Sequence, residues 1–232
     1  MLGKQVALHS GYRGPRGPGD LIRRLVPVVA FWVAGATVFA QGQVSFANFS
    51  NSLISTNTVA GGPTTGYTSG PVGSYYYGLF WAPSTQTNVD ASLTGWTFTG
   101  NYATNTASPG RLNGNYTIDP GVYIPPWGVG ATLNFLIVGW SSNIGHDWPT
   151  AQAWYAQALL GANSTAGWFG VSSVARYVLI GGGPTPVPSI FSLGPYAIGG
   201  FSLDRMDPVP EPTALALLVP GLVGLLRLRG RK

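Results

Sequence analysis

The middle of the chain alternates short apolar runs with turn-forming residues. Between residues 41 and 207, Gly, Pro, Asn and Ser recur every few positions, and the runs between them are rich in aromatic and β-branched residues. Runs of this kind with frequent turn signals are typical of the strands of a β-sandwich. We therefore predict a mainly β body, an antiparallel β-sandwich or jelly roll. Its predicted strands are Gln43–Ser50, Ser74–Trp81, Leu93–Thr99, Ala131–Trp140, Trp168–Val174, Tyr177–Ile180 and Ala197–Leu203.

One of these runs predicts the centre of the sheet. Ala131–Trp140 is the most apolar of them. A strand that is buried on both faces reads as a near-continuous apolar run, because neither face contacts water. We predict that this run is a central strand.

A single segment of the body has the pattern of a helix. Thr150–Leu160 is rich in Ala and Gln, contains no Gly, follows Asp147 and stops at Gly161. We predict one short helix that packs on the sheet or closes one end of it. Residues four apart share one face of a helix, and here they are Ala151, Tyr155 and Leu159.

The N-terminal 40 residues have the order of parts found in a secretion signal. Arg23 and Arg24 precede the apolar run Leu25–Phe39, and Val38-Phe39-Ala40 has small or apolar residues at the positions that signal peptidase reads. Gln41 then begins a polar stretch. We predict a signal peptide over residues 1–40, cleaved after Ala40. The alternative is a retained membrane anchor.

The C-terminus carries a second apolar run with a basic end. Thr213–Leu226 is nearly all apolar, and its 14 residues would span roughly 21 Å as a helix, less than a typical ~30 Å hydrocarbon core. Length alone favours a buried helix. However, basic residues at a helix end suit a cytoplasmic stop and can snorkel, which favours a short transmembrane helix with the body outside. The basic residues are Arg227, Arg229, Arg231 and Lys232.

The tripeptide before this run makes the pattern more specific. Pro210-Glu211-Pro212, the apolar segment and the terminal basic cluster together resemble the PEP-CTERM sorting domain of Gram-negative bacteria. The resemblance covers residues 208–232. It implies recognition by an exosortase, a membrane-held intermediate at the inner membrane and delivery to the cell surface or the extracellular matrix. It also implies an association with exopolysaccharide and biofilm.

Charge is distributed unevenly between the ends and the body. The chain has 12 basic and 7 acidic residues. From Gln41 to Val209 there are only three arginines against five aspartates, so the net charge of the body is 3 − 5 = −2. Three scattered arginines cannot form a basic patch, which argues against a nucleic-acid partner despite the basic pI. The chain has no cysteine, so disulfides, thiolate metal sites and a lipoprotein anchor are excluded.

Few residues of the body could carry catalysis. His146 is beside Asp147, and Ser141 or Ser142 could complete a triad, but no Gly-x-Ser-x-Gly elbow is present. A loop histidine with Asp147 as the helix cap is the favoured interpretation.

A carboxylate pair is the second catalytic possibility. Asp90 and Asp119 are the candidates for a glycosidase pair, near Trp96, Tyr116 and Trp127. Turn formation is the commoner use of aspartate. With one histidine in the body and no cysteine, we predict no metal site and no cofactor.

Aromatic residues supply the one hint of a ligand. Exposed aromatic rings stack on sugars, although rings at alternate strand positions also build cores. The aromatics in question are Tyr75, Tyr76, Tyr77, Trp81, Trp96, Trp127, Trp140, Trp148 and Trp154. The leading hypothesis is a non-enzymatic structural or adhesive protein of the cell surface. The alternatives are a carbohydrate-binding module, favoured by a row of exposed coplanar rings, and a secreted hydrolase.

Overall fold

The computed structural model describes residues 41–117, 120–192 and 194–208. They form a mainly β fold with one α-helix, α1 (Trp148–Leu159), and a short 3₁₀ helix at Ser142–Ile144, which confirms the predicted class and helix. The strands are β1 (Gln41–Val44), β2 (Ser55–Asn57), β3 (Gly66–Tyr67), β4 (Tyr75–Pro83), β5 (Thr97–Asn105), β6 (Leu112–Asn113), β7 (Val122–Gly128), β8 (Thr132–Ser141), β9 (Gly167–Val171), β10 (Ala175–Leu179) and β11 (Ser202–Met206).

Strand β8 lies inside a nine-stranded sheet, as its apolar sequence predicts. The order of the sheet is β3-β2-β11-β9-β8-β4-β5-β6, and β10 also pairs with β8. β4 pairs with one edge of β8 along its whole length, and β9 and β10 share the other edge. All residues of β8 after Thr132 are buried. The prediction of a central strand over Ala131–Trp140 is confirmed.

One strand pair departs from the predicted antiparallel arrangement. β2 and β11 are parallel, with Ser55 opposite Ser202 and Asn57 opposite Asp204. The other strand pairs of the described chain are antiparallel. Parallel neighbours need a long connection, and here nearly the whole body lies between the two strands.

The side chains of β8 alternate between two hydrophobic cores. Leu133, Phe135 and Ile137 belong to the first core, and Leu136, Val138 and Trp140 belong to the second. This is the two-residue period of a strand. Each fully buried side chain of this size contributes about 1.5–3 kcal/mol to folding, so a chain without disulfides has two cores to stabilise it.

Different elements cover the two faces. β1 and β7 form a separate two-stranded sheet, and Val44 and Ile124 from it lie in the first core. Helix α1 covers the other face through Ala151 and Trp154, which lie in the second core. The helix therefore packs on the sheet, one of the two predicted placements.

The helix differs from its prediction in bounds and in one face residue. It begins at Trp148, two residues before the predicted start, because the side chain of Asp147 accepts a hydrogen bond from Thr150 N and caps it. Trp154 is buried, whereas Leu159 is 54% exposed. The buried face follows the i, i+3 spacing from Ala151, and the prediction for Leu159 is wrong.

Several strand bounds also differ. β5 extends through Gly100, whose φ of +83° sits at an irregularity of the sheet, to Asn105. β1 ends at Val44, before the end of the predicted run Gln43–Ser50. Beyond Val44, the backbone N–H of Phe46 donates to the side-chain oxygen Asn115 Oδ1 (2.6 Å) instead of to a neighbouring strand. β7 was not predicted, because it contains prolines, which remove ladder donors.

Buried asparagines tie the loops to the sheet. Asn48 Nδ2 donates to the carbonyls of Ser52 (2.7 Å) and Gly110 (2.8 Å), and its Oδ1 accepts from Leu112 N (2.8 Å). This one side chain fixes the backbone on both sides of residue 111. Two other asparagines are likewise fully buried and bonded to loop backbone, namely Asn105 and Asn134.

Candidate functional site

The residues suggested for a catalytic triad are engaged separately at the start of α1. The imidazole of His146 is exposed and stacks on the ring of Tyr76, with 5.0 Å between centroids. Asp147 Oδ1 accepts from Thr150 N (2.9 Å), and Ser141 Oγ accepts from Trp168 N (2.9 Å). Within the described residues, no hydrogen bond joins His146 to Asp147, to Ser141 or to Ser142. The favoured interpretation, a loop histidine beside a capping aspartate, is confirmed.

The capping role also shifts the acidity of Asp147. The hydrogen bonds from Thr150 hold the pKa of this exposed carboxyl below its ordinary value, and the charge of His146 acts in the same direction to a smaller extent. Asp147 is therefore a carboxylate at neutral pH whose lone pairs serve the helix N-terminus.

The two aspartates suggested for glycoside cleavage have different outcomes. Asp90 is exposed and accepts from Thr94 N (2.9 Å), which lowers its pKa. This confirms the turn-forming use of Asp90. Asp119 lies outside the described residues. Among the aromatics near them, the indole of Trp96 donates to the carbonyl of Asn88 (2.9 Å), and Trp127 packs edge-on against Trp81.

The residues of the two ends also lie outside the described part of the chain. They are the cleavage residue Ala40, the sorting motif Pro210, Glu211 and Pro212, and the basic residues Arg227, Arg229, Arg231 and Lys232. Among the helices of the described ranges, none combines the length and apolar character that crossing a bilayer requires.

The nine aromatics singled out from the sequence pack into the cores. Tyr77, Trp96, Trp140 and Trp154 are buried members of the two clusters, and the other five pack against them, partly buried. Exposed aromatic residues occur elsewhere in the described chain, at Phe49, Tyr67, Tyr116, Tyr177 and Tyr196. These nine residues do not form a row of exposed coplanar rings, the feature that would favour a carbohydrate-binding module.

An open groove lies beside β6, at the edge of the large sheet. We call it the β6 groove; its volume is about 480 Å³. It is lined by Ala47, Thr106, Ser108, Arg111, Leu112, Asn113, Asn115 and Tyr116. The bonds of Asn48 to the backbone of Gly110 and Leu112 place Arg111 at this edge. On the other side, Ala47 forms a β-bridge with Asn113.

Other side chains fix the walls of the β6 groove. Asn115 is bonded through both ends of its amide, accepting from Phe46 N (2.6 Å) and donating to Ser45 Oγ (3.1 Å). The hydroxyl of Tyr116 donates to Asn101 Oδ1 (3.3 Å), while 45% of the residue is exposed. The walls are therefore held in place by bonds within the protein.

Arg111 differs from these neighbours because its side chain has no hydrogen-bond or ion-pair partner among the described residues. Its Nε is buried without a hydrogen-bond acceptor, and its guanidinium forms no ion pair with the described residues. Buried donors without an acceptor are rare in native proteins and require an explanation. The sequence contributes Arg111 only to the net charge, because a lone arginine in a loop belongs to no recognisable motif.

A second surface feature is a pair of exposed tyrosines. Tyr177 and Tyr196 meet edge-on with 5.8 Å between ring centroids, and each is more than half exposed. Tyr177 has a φ of +57°, unusual for a bulky residue, and its backbone N–H is bonded by the buried Asn134 Oδ1 (2.8 Å). The positive φ of Tyr177 interrupts the regular course of β10 at the position of the tyrosine pair.

The described residues contain no group of three or more His, Cys, Asp or Glu side chains able to hold a metal ion. The described lining of the β6 groove offers one cation, side-chain amides, hydroxyls and an aromatic ring. Comparison of the chain with protein-family models, with curated proteins and with solved structures yields no match.

Proposed function

We propose that the protein is exported, sorted by an exosortase-type system and delivered to the cell surface or extracellular matrix, where its body has a structural or adhesive, non-enzymatic role. The observation that carries this proposal is the sequence of the C-terminus: Pro210-Glu211-Pro212, the apolar run and the basic end occur in the order of the sorting domain that they resemble. Signal peptidase and exosortase are the processing partners under this proposal.

The described residues form a body with its own cores ahead of the proposed address. Within this part of the chain, the members of both core clusters lie between Val44 and Met206. β11, the last described strand, is paired on both edges, with β2 and with β9. These cores lie upstream of Pro208, Pro210 and Pro212, which favour extended backbone.

We extend the proposal to the architecture of the body, an antiparallel sandwich or jelly roll. The small β1–β7 sheet supplies Val44, Val122 and Ile124 to the core on one face of the large sheet. Two sheets that share one core are the defining feature of a sandwich. The parallel β2–β11 pair would be a local exception.

The non-enzymatic role is supported by what the candidate catalytic groups do. Asp147 caps α1, Asp90 holds a turn and Ser141 bonds Trp168 N. Within the described residues, none of these three groups is hydrogen-bonded to His146, so the linked bonds of a catalytic triad are not assembled there. The second candidate function, carbohydrate binding, is favoured by one specific observation, the partly exposed ring of Tyr116 beside Arg111 in the β6 groove.

Fractionation of cells that express three versions of the chain tests the sorting proposal. The versions are the full chain, a chain that lacks residues 209–232, and a chain in which Arg227, Arg229, Arg231 and Lys232 are replaced by Gln. We expect the full chain to pass through a membrane-held stage and the truncated chain to be released folded. The third version keeps Pro-Glu-Pro but should be retained less well, because the cytoplasmic stop is weakened.

Two outcomes would contradict the proposal. If the truncated chain unfolds or aggregates, the apolar run belongs to the core of the body. If the truncated chain folds but stays in the membrane, the anchor is at the N-terminus. N-terminal sequencing of the exported form separates these cases further, since cleavage after Ala40 predicts Gln41 as the first residue.

A further inference from the structure

We propose that the β6 groove binds a carboxylate-bearing, hydroxyl-rich ligand, namely a sugar acid of the kind found as a unit of acidic polysaccharides. The inference deepens the proposed adhesive role by naming the chemistry of its partner, and it rests on that role for its biological setting.

The charge of Arg111 selects an anion. Within the described residues its guanidinium has neither a carboxylate partner nor a hydrogen-bond acceptor for Nε. Arg205, by contrast, is paired with Asp207 at 2.7 Å. A guanidinium is planar and matches the two oxygens of a carboxylate with parallel hydrogen bonds. Arg111 therefore offers a charge and a geometry that the fold itself does not use.

The surrounding charge limits how many negative groups the ligand carries near the site. The body from Gln41 to Val209 has a net charge of −2, and among the described residues that line the groove Arg111 is the one cation. A densely charged polymer such as a nucleic acid needs many phosphate contacts to bind. One isolated cation instead fits a ligand with a single carboxylate at the point of contact.

The remaining groups of the groove suit hydroxyls and a flat apolar face. Ser108 Oγ and Asn113 Nδ2 line the groove and form no hydrogen bond within the described residues, whereas Asn113 Oδ1 accepts from Asn115 N (3.1 Å). The ring of Tyr116 is held by its hydroxyl and is 45% exposed. A pocket can orient a polar ring with a donor amide, a hydroxyl and an aromatic face beside one charge.

The size and rigidity of the β6 groove are consistent with such a ligand. Its volume of about 480 Å³ falls within the ~300–1,000 Å³ range of small-molecule sites. The buried Asn48 fixes the backbone on both sides of Arg111, and the side chain of Asn115, which also lines the groove, is held by Phe46 N and Ser45 Oγ. A preformed site loses little conformational freedom when it binds.

Isothermal titration of the purified full chain tests the proposal. The probes are D-galacturonate and a short oligogalacturonate, with D-galactose as the uncharged counterpart and inorganic phosphate and a peptide with a free C-terminal carboxylate as other anions. We expect the sugar acids to bind and galactose, phosphate and peptide to bind at least about tenfold more weakly, because each lacks either the carboxylate or the hydroxyl-rich ring.

Two arginine variants give a matched comparison. Arg111→Gln and Arg176→Gln each remove one positive charge, but Arg176 is exposed and does not line the groove. We expect R111Q to weaken the binding of oligogalacturonate by about tenfold or more and R176Q to leave it within about twofold. Tyr116→Ala should weaken sugar acids while leaving the response to free phosphate unchanged.

Several results would overturn the proposal. They are absence of sugar-acid binding by the full chain, equal weakening by R111Q and R176Q, equal binding of galactose and galacturonate, or preferred binding of the peptide. The urea midpoint of each variant is measured beside the titration, so that loss of binding is counted only for a folded chain. Because the titration uses purified protein, its failure leaves the sorting proposal untouched, and failure of sorting leaves the titration valid.

Discussion

The start of helix α1 and the β6 groove differ in how their polar groups are used. At the helix, Asp147 bonds Thr150 N, Ser141 bonds Trp168 N and His146 stacks on Tyr76. In the groove, Asn115 is fully bonded, but Arg111 has no partner within the described residues. The first region contains the residues that resemble catalytic groups, and the second contains a group whose bonding capacity is unused.

In a body with few charges, the hydrogen bonds of polar side chains help to identify a candidate functional site. A residue type suggests what a side chain could do, but its hydrogen bonds decide whether it is free to do it. Side chains that stabilise the fold form hydrogen bonds with the backbone. Side chains that recognise a ligand often have no hydrogen-bond partner in the free protein, which lowers its stability. By this criterion the β6 groove, and not the His146 region, is the candidate for function.

The largest expected effect comes from removing the support of the groove. In Asn48→Ala, the carbonyls of Ser52 and Gly110 and the N–H of Leu112 lose their buried partner. We expect a loss of about 3–5 kcal/mol in the free energy of unfolding, measured by urea denaturation, together with loss of ligand binding at the groove.

Asn163→Ala is the matched control for this experiment. Asn163 is also buried, but its side chain makes a single bond, to the carbonyl of Thr165 (3.1 Å). We expect this variant to lose about 1 kcal/mol. Equal losses in the two variants would show that the number of backbone partners does not set the contribution of these asparagines, and would remove the structural basis for the fixed groove.

Strands β8 and β7 show which parts of the fold the sequence can predict. Ala131–Trp140 was recognised as a central strand because burial on both faces leaves an apolar run that can be read locally. β7 was missed because Pro125 and Pro126 argue against a strand, although its neighbour β1 pairs with it across a bulge. Local composition therefore reports burial well and long-range pairing poorly.

The β6 groove had no local signal at all. The bond that places Arg111 joins Leu112 N to Asn48, 64 residues earlier in the chain. Asn48 itself lies in a run that reads as part of a strand, and Tyr116 reads as one aromatic among many. The cap at Asp147 was predictable because an aspartate just before a helix acts on residues within one turn. Contacts over long separations cannot be read in this way.

An intermediate effect is expected at the helix cap. Asp147→Ala removes the acceptor for Thr150 N, so the melting temperature should fall at neutral pH. The pKa of Asp147 is lowered in the folded state. Its contribution is therefore present above the unfolded pKa of about 3.9 and is lost as the pH falls through the folded pKa. The difference between wild type and variant should shrink below about pH 4.

Gln152→Ala provides the control, because Gln152 is exposed on α1 and its side chain makes no hydrogen bond within the described residues. Its melting temperature should follow that of the wild type at each pH. If D147A is as stable as the wild type at neutral pH, the carboxylate is not committed to the helix. The contrast between the two regions would then disappear, and a chemical role for Asp147 would regain support.

The smallest expected effect is that of His146→Ala. The imidazole is exposed, and its one described contact is the stack on Tyr76, so we expect a change within about 0.5 kcal/mol, as for other surface substitutions. Any hydrolysis of ester or glycoside probes by the wild type should be unchanged in the variant, because no hydrogen bond connects His146 to Ser141 or Asp147 within the described residues.

Asn143→Ala, in the same loop, controls for local disturbance: its amide donates to Ala166 O (2.7 Å), so it perturbs the loop without touching the imidazole. If H146A abolishes hydrolysis while N143A does not, and both remain folded, the histidine acts chemically. The region at the start of α1 would then be the active site, despite the bonds that its neighbours make to the fold.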